Sequence, residues 1–340
     1  MTFNHLFWLL NYILMKTFRF ILMFCLPALI MVSCGDDEGG EDNPLNPSPY
    51  WQSGYQQNQL NGRVKTIKEE TQYQKNSGTY TYYEYNAQGC IVKDYYIFSD
   101  GDSRGLTFTY DNQSRLTKIV YATITDPQDE IAEFGYSGEH NLYIPTNIYS
   151  MNDLRLNPGV TSVSYKQKNK VPMTANFLSK SNNQIIFNAK AGPLKDEFGS
   201  EDIKIIVDHT GDYPTKIKFQ NTSGGGPEAT VRYTGVGMPS EVVYRNSDMV
   251  VTTKFTTIAG FLLMTSQKTE EEDGDVRLYE YTYNEKGHLI GEKTSSGYEY
   301  RNTYEYDNNN NWTKKTEEYK EGSVWKTNDN MIRYREYTYW

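Results

Sequence analysis

Tyr83-Glu84-Tyr85-Asn86-Ala87-Gln88-Gly89-Cys90-Ile91 recurs, without a gap, at three further places in the chain. The copies are Phe108-Thr-Tyr110-Asp-Asn-Gln-Ser114-Arg-Leu116, Tyr281-Thr-Tyr283-Asn-Glu-Lys-Gly287-His-Leu289 and Tyr304-Glu-Tyr306-Asp-Asn-Asn-Asn310-Asn-Trp312. Each reads as a strand ending on an aromatic residue, then Asn or Asp, a turn, and a new strand. The Asx side chain hydrogen-bonds the turn backbone. Gly89 and Gly287 supply a positive φ, which Asn310 tolerates. The pattern predicts a hairpin loop with a glycine bulge.

Alternation along these strands separates two faces. Tyr83 and Tyr85, Phe108 and Tyr110, Tyr281 and Tyr283, and Tyr304 and Tyr306 share one face. Glu84, Thr109, Thr282 and Glu305 point the other way. The aromatic face is expected to form a buried ladder, because cross-strand aromatic pairs stabilise sheets.

Weaker copies fill the interval, at Phe134-Gly-Tyr136, Val163-Ser-Tyr165, Ile185-Ile-Phe187, Ile205-Ile-Val207, Val231-Arg-Tyr233 and Thr253-Lys-Phe255. The turn residues that follow these include Gly138, Asn169, Gly192, Gly211, Gly237 and Gly260. Ten units of two strands each predict about twenty strands in an antiparallel meander. Ile186 and Ile206 are apolar where the strong units are polar, so those strands are expected to be covered on both faces. A sheet of this size cannot stay flat with one aromatic face in water, and a curled sheet is expected.

Composition agrees with an all-β chain. The sequence holds 30 Tyr and 26 Gly. Tyr, Thr, Val and Ile favour strands, while Gly and Asn favour turns. No sustained helical period or capping box precedes an apolar stripe.

The repeat resembles the RHS/YD repeat, whose signature is Tyr-Asp-x-x-Gly-Arg-Leu. Tyr110-Asp111 with Arg115-Leu116 matches it, with Ser114 in place of the glycine. The ending Tyr306-Asp307, Asn311-Trp312-Thr313-Lys314 and Arg333 to Trp340 resembles the C-terminus of YD-like lipoproteins of unassigned function. The resemblance implies a β-hairpin repeat domain over residues 59–340. Large RHS shells enclose a C-terminal toxin, and no such cargo is expected here.

Residues 1–33 resemble a bacterial lipoprotein signal peptide. Lys16 and Arg19 precede the apolar run Phe20 to Val32, and Ser33-Cys34 ends it. The run suits a signal peptide and is short for a membrane span. The resemblance implies cleavage before Cys34 and lipidation of Cys34. Residues 1–14 lack a basic residue, so Met15 is the expected start. Residues 34–58 form an acidic and Pro-rich tether, Gly35 to Asp42 followed by Asn43-Pro-Leu-Asn-Pro-Ser-Pro49. Such chain stays extended and unstructured, and residues 35–58 reach up to roughly 80 Å. The acidic cluster after Cys34 resembles a surface-export signal of outer-membrane lipoproteins, with a periplasm-facing anchor as the other orientation.

The full chain carries a net charge of −9. Losing residues 1–33 removes Lys16 and Arg19 and no acid, which leaves about −11. That disfavours nucleic acid and anionic membrane surfaces as partners. Cys90 is left without a disulfide partner and is expected to be a small buried filler. No cofactor or metal site is expected. His140, His209 and His288 fall in or beside turns and are expected to be solvated. Asp100-Gly-Asp102 reads as a hairpin turn rather than a calcium loop, and Gly224-Gly-Gly226 as a flexible turn rather than a phosphate cradle.

No nucleophile elbow or zinc-protease motif is present. Glu84, Glu280 and Glu305 are strand carboxylates on the polar face, so a solvated surface explains them better than glycoside hydrolysis. Tyr80, Tyr82, Tyr95 and Tyr96 stand outside the ladder, and form the expected stacking row for a glycan or an envelope protein. The expected role is non-catalytic binding or scaffolding at the outer-membrane surface. A carboxylate-dependent glycan hydrolase and a structural envelope spacer are the alternatives.

Overall fold

The computed structural model describes residues 60–340, except 76, 125, 127, 140–142, 146–155, 193–194, 196–199, 212, 235–238, 259–260 and 328. The signal peptide, Cys34 and the tether lie outside the described residues. The strands are β1 (Val64–Thr71), β2 (Tyr80–Tyr85), β3 (Ile91–Ile97), β4 (Ser103–Tyr110), β5 (Leu116–Ala122), β6 (Glu130–Tyr136), β7 (Tyr143–Pro145), β8 (Leu156–Pro158), β9 (Val160–Gln167), β10 (Met173–Lys180), β11 (Gln184–Lys190) and β12 (Asp202–Thr210). They continue as β13 (Tyr213–Gln220), β14 (Glu228–Tyr233), β15 (Pro239–Arg245), β16 (Met249–Ile258), β17 (Phe261–Glu271), β18 (Val276–Tyr283), β19 (Leu289–Thr294), β20 (Glu299–Tyr306), β21 (Trp312–Glu321), β22 (Val324–Lys326) and β23 (Ile332–Tyr339).

All pairings among the described residues are antiparallel, and successive strands of the large sheet pair as the repeat predicted, with β7, β8 and β22 outside that order. The expected curled sheet is corrected in one respect, because the sheet closes. β1 pairs with β23 over Val64 to Thr71, and β23 pairs with β21. Twenty strands form the closed ring among the described residues, with β22 appended to β21 and β7–β8 a separate pair. Closure removes the two free edges that an open meander would leave unpaired. The seam is pinned at one end by side chains. Asn61 donates its N–H to Asn311 Oδ1 at 2.7 Å, and Asn311 Nδ2 donates to the Asn61 carbonyl at 2.8 Å. Tyr339 Oη donates to Asp307 at 2.5 Å, and the Trp340 N–H donates to the Arg63 carbonyl.

The Asx turns sit together at this same end. Asn86, Asp111, Asn284 and Asp307 each accept two backbone N–H bonds, from the residues two and four ahead. Gly287 holds φ 83° and Asn310 φ 62°. Two weaker copies do not share this phase. Tyr165 and Phe187 lie on strands running away from the Asx end, so the turns after them close the opposite end, the mouth.

Bulges mark the hairpins that close at the Asx end. The register slips by one between Glu84 and Tyr85, Thr109 and Tyr110, Asp208 and His209, Lys254 and Phe255, Thr282 and Tyr283, and Glu305 and Tyr306. The residue before the extra one offers its carbonyl to a tyrosine hydroxyl of a later strand. Tyr110 donates to Ile91, Tyr136 to Leu116, Tyr233 to Pro214, Tyr283 to Met264, Tyr304 to Leu289 and Tyr337 to Trp312, all at 2.6–2.7 Å. The ladder therefore requires tyrosine rather than phenylalanine wherever a carbonyl displaced by the bulge must be satisfied.

The aromatic face points inward. Tyr85, Phe108, Leu116, Ile119, Ile205 and Phe219 belong to one core built from β1 to β6 and β9 to β16. A round ring of twenty strands would leave a wide lumen. Exposures of 0% at Ile67, Ile119, Ile205 and Phe219 show that the ring is filled there. Cys90 is buried. Ile186 and Ile206 face outward and are half-buried, so the expected two-sided cover is partial. His209 and His288 depart from the solvated reading, being buried. His288 packs against Tyr304 and Tyr306, with Nδ1 3.0 Å from Tyr306 Oη, because the residue after the turn points into the ladder.

The outer face is charged. Ion pairs cross it at Lys93–Glu84, Lys118–Glu133, Lys216–Glu228, Arg232–Glu241, Arg301–Glu318 and Lys314–Glu305, at 2.7–3.0 Å. A barrel that spans a bilayer turns an apolar band outward, and each Lys or Arg at mid-membrane costs about 2–4 kcal/mol. The outer face of this barrel has the opposite polarity.

Candidate ligand-binding site

The four tyrosines of the expected stacking row do not come together. Tyr80, Tyr82 and Tyr95 lie on the outer face, and Tyr96 points inward at the mouth. Lys68 Nζ lies 5.1 Å from the Tyr80 ring centre, and Tyr82 Oη lies 3.4 Å from Glu84. Tyr95 spans Gly105, where a Cβ would come 2.9 Å from the Tyr95 ring, and its hydroxyl meets Thr107 Oγ1 at 2.8 Å. That is a tyrosine covering a glycine on the neighbouring strand. Tyr96 accepts from Gln74 Nε2 at 3.0 Å and packs edge-on against Phe98. The carboxylates considered from sequence are outer-face residues, Glu84 paired with Lys93 and Glu305 with Lys314.

A different set of residues meets inside the barrel, toward the mouth. There the inner face of β17 to β21 stays half-exposed, in contrast to the sealed face of β9 to β14. One register row runs Tyr281, Glu292, Tyr300, Tyr319 across four adjacent strands. One step deeper, Asn302 faces Glu317, and Tyr304 faces Lys315. Lys315 Nζ lies 3.1 Å from Glu317. Deeper still, Arg335 Nε donates to Glu69 at 2.7 Å and stacks 4.0 Å from the Trp312 ring centre.

Electrostatics separates these groups. Burial raises the Glu292 carboxyl, the charge of Glu317 raises it further, and Lys315 opposes both. Burial also works to raise Glu69, but the Arg335 and Arg333 guanidiniums overcome it and hold the carboxyl below its ordinary value. Burial, then the Glu292 charge, raises the hydroxyls of Tyr281 and Tyr300. Tyr283 is pushed up to about 12, again by burial first. The floor of the arc is thus an ion pair with Arg335 Nη1 left without a hydrogen-bond partner, while its middle holds the carboxylate of Glu292 between phenols, partly offset by the charge of Lys315. Among the described residues no group of His, Cys, Asp and Glu is arranged to hold a metal.

Simple alternation from Leu289 or Trp312 places Glu292, Lys315 and Glu317 on the outside. The bulge residues Ile290 and Thr313 invert that parity and turn them in. The turn motif signals the bulge, and the bulge sets the facing of every later residue of the strand.

The fold is a closed, tyrosine-laddered antiparallel barrel with a polar arc at its mouth. No protein-family model and no curated protein matches the chain. Among solved structures it is similar to a porin-like protein from Bacteroides uniformis ATCC 8492, at 10% identity and a TM-score of 0.32, over 81% of this chain and 96% of that one. It is also similar to a chain of the TcdB2-TccC3-Cdc42 complex, at 12% identity and a TM-score of 0.19, over 71% of this chain and 17% of that one. Likeness at these scores carries no argument about function.

Proposed function

We propose that the protein is a lipid-anchored envelope protein that binds a ligand, without catalysis, at the mouth of a water-exposed barrel. Cys34 carries the lipid, and residues 34–58 hold the barrel off the outer-membrane surface. The observation that carries the reading is the asymmetry of the interior. One end is sealed by core and Asx turns, and at the other an arc of Tyr281, Tyr300 and Tyr319 with Glu292 stays open to solvent. Aromatic rings beside polar groups are the usual lining of glycan and peptide sites. Leu60 and Trp340 both lie at the sealed end, so a tether attached there leaves the mouth free. The charged exterior is compatible with a place at the membrane surface and not within the bilayer.

A second reading has one observation in its favour. Glu292 is raised beside Glu317, as a general acid paired with a carboxylate requires. Hydrolysis of a glycan that Glu292→Gln abolishes would establish that reading in place of binding.

Two measurements test the proposal. Cys34→Ala is expected to yield a longer, unlipidated precursor absent from the membrane fraction. Glycan and envelope-protein arrays are expected to give ligands lost on Tyr300→Ser with Tyr319→Ser, and kept on Tyr80→Ser with Tyr82→Ser. Ligands lost only in the second pair would move the site to the outer face.

A further inference from the structure

Two acceptors in the arc are left open by the fold. Glu292 makes no hydrogen bond or ion pair among the described residues, while Lys315 is spent on Glu317. Asn302 is 6% exposed, and its Oδ1 has no partner although its Nδ2 donates to the Leu289 carbonyl at 3.0 Å. Asn302 shares the inner face with its register neighbour Glu317. Tyr281 and Tyr300 flank Glu292 on the two adjoining strands. A carboxylate between aromatic rings attracts a cation twice, through its charge and through the rings' quadrupoles. An anionic ligand would meet Glu292 and Glu317, and a neutral sugar would leave the charge of Glu292 only partly offset.

The rim adds two further features. Two of its turns, β3–β4 and β17–β18, carry Asp100, Asp102, Glu272, Asp273 and Asp275, acidic patches that draw in cations, while Lys75, Lys168 and Lys170 stand on the β1–β2 and β9–β10 turns. Large apolar side chains stand exposed on the same end, Tyr73 at 74%, Ile124 at 52%, Val171 at 66% and Tyr298 at 63%. Free amines have no use for apolar tips. A polypeptide with mixed basic and apolar side chains does.

Building on the proposed binding role of the mouth, we infer that its ligand is a basic polypeptide segment, with a lysine or arginine side chain seated on Glu292 between Tyr281 and Tyr300. The segment's apolar residues pack on the rim, and its N–H donors serve the acceptors that the fold leaves open.

Calorimetric titration of the full chain tests this with four probes. These are a peptide of Lys, Leu and Ala, the same peptide with every lysine acetylated, spermidine, and an uncharged oligosaccharide. The lysine peptide is expected to bind, with affinity falling about tenfold on acetylation and about tenfold in Glu292→Gln. Glu317→Gln is the second variant, and circular dichroism confirms that each is folded. Equal binding of the acetylated peptide, or unchanged affinity in a folded Glu292→Gln, overturns the inference. Tighter binding of spermidine than of the peptide overturns the polypeptide assignment. Oligosaccharide binding lost on Tyr300→Ser, with no peptide binding, refutes the basic ligand and leaves the mouth as a binding site. Ligands that bind only elsewhere refute both.

Discussion

Tyr283→Phe removes one oxygen and tests the physical basis of the repeat. In the folded protein that hydroxyl donates to the Met264 carbonyl at 2.7 Å. Met264 directly precedes the extra residue of the β16–β17 bulge, where the ladder register slips between Lys254 and Phe255. Losing a neutral hydrogen bond costs about 0.5–1.5 kcal/mol, and leaving a desolvated carbonyl without a donor raises that to about 1–3 kcal/mol. For a domain of this size, 1 kcal/mol corresponds to about 2–4 °C in Tm. The expected loss is therefore about 1–3 kcal/mol, read as a drop of several degrees by circular dichroism or calorimetry. Tyr82→Phe is the control. Its hydroxyl lies 3.4 Å from Glu84 on the outer face, so the change should stay within about 0.5 kcal/mol. If Tyr283→Phe is as silent as Tyr82→Phe, the bulge carbonyls do not depend on the ladder hydroxyls, and the account of the repeat is wrong.

Three further expectations follow from the same geometry. Glu292 holds its proton more tightly folded than unfolded, so its contribution falls as pH rises through its raised value. Glu292→Gln should therefore melt at or above the wild-type temperature at pH 7, with the gap closing toward pH 4; a variant less stable at pH 7 would show that the carboxylate is compensated in the fold. Gly287→Val forces a β-branched residue to φ 83° and should cost more than about 1 kcal/mol in denaturant titrations, a cost absent if the turn relaxes to negative φ. Asn311→Ala removes two side-chain donor bonds and one acceptor at the seam and should destabilise by about 2–4 kcal/mol, with amide exchange in β1 and β23 accelerating most; uniform exchange would show that the seam is no weaker than the wall.

The sequence by itself determined the strands, their order and the inward direction of the ladder. Each of these is local. An Asx oxygen four residues from its partner N–H, a glycine at positive φ and a two-residue alternation lie within a single hairpin, as Asn86, Gly287 and Tyr83–Tyr85 show. Tertiary structure decided three things that span the chain. Closure depends on β1 meeting β23, where Val64 pairs with Tyr339 across the whole sequence. The polarity of the exterior shows as cross-strand pairs such as Arg301 with Glu318, which exist only once the strands are in register. The arc at the mouth depends on the bulges, because one extra residue inverts the facing of all that follow. Glu292 and Glu317 therefore turn inward, and the same inversion beyond the bulge residue Val92 puts Tyr95 on the outside opposite Tyr82.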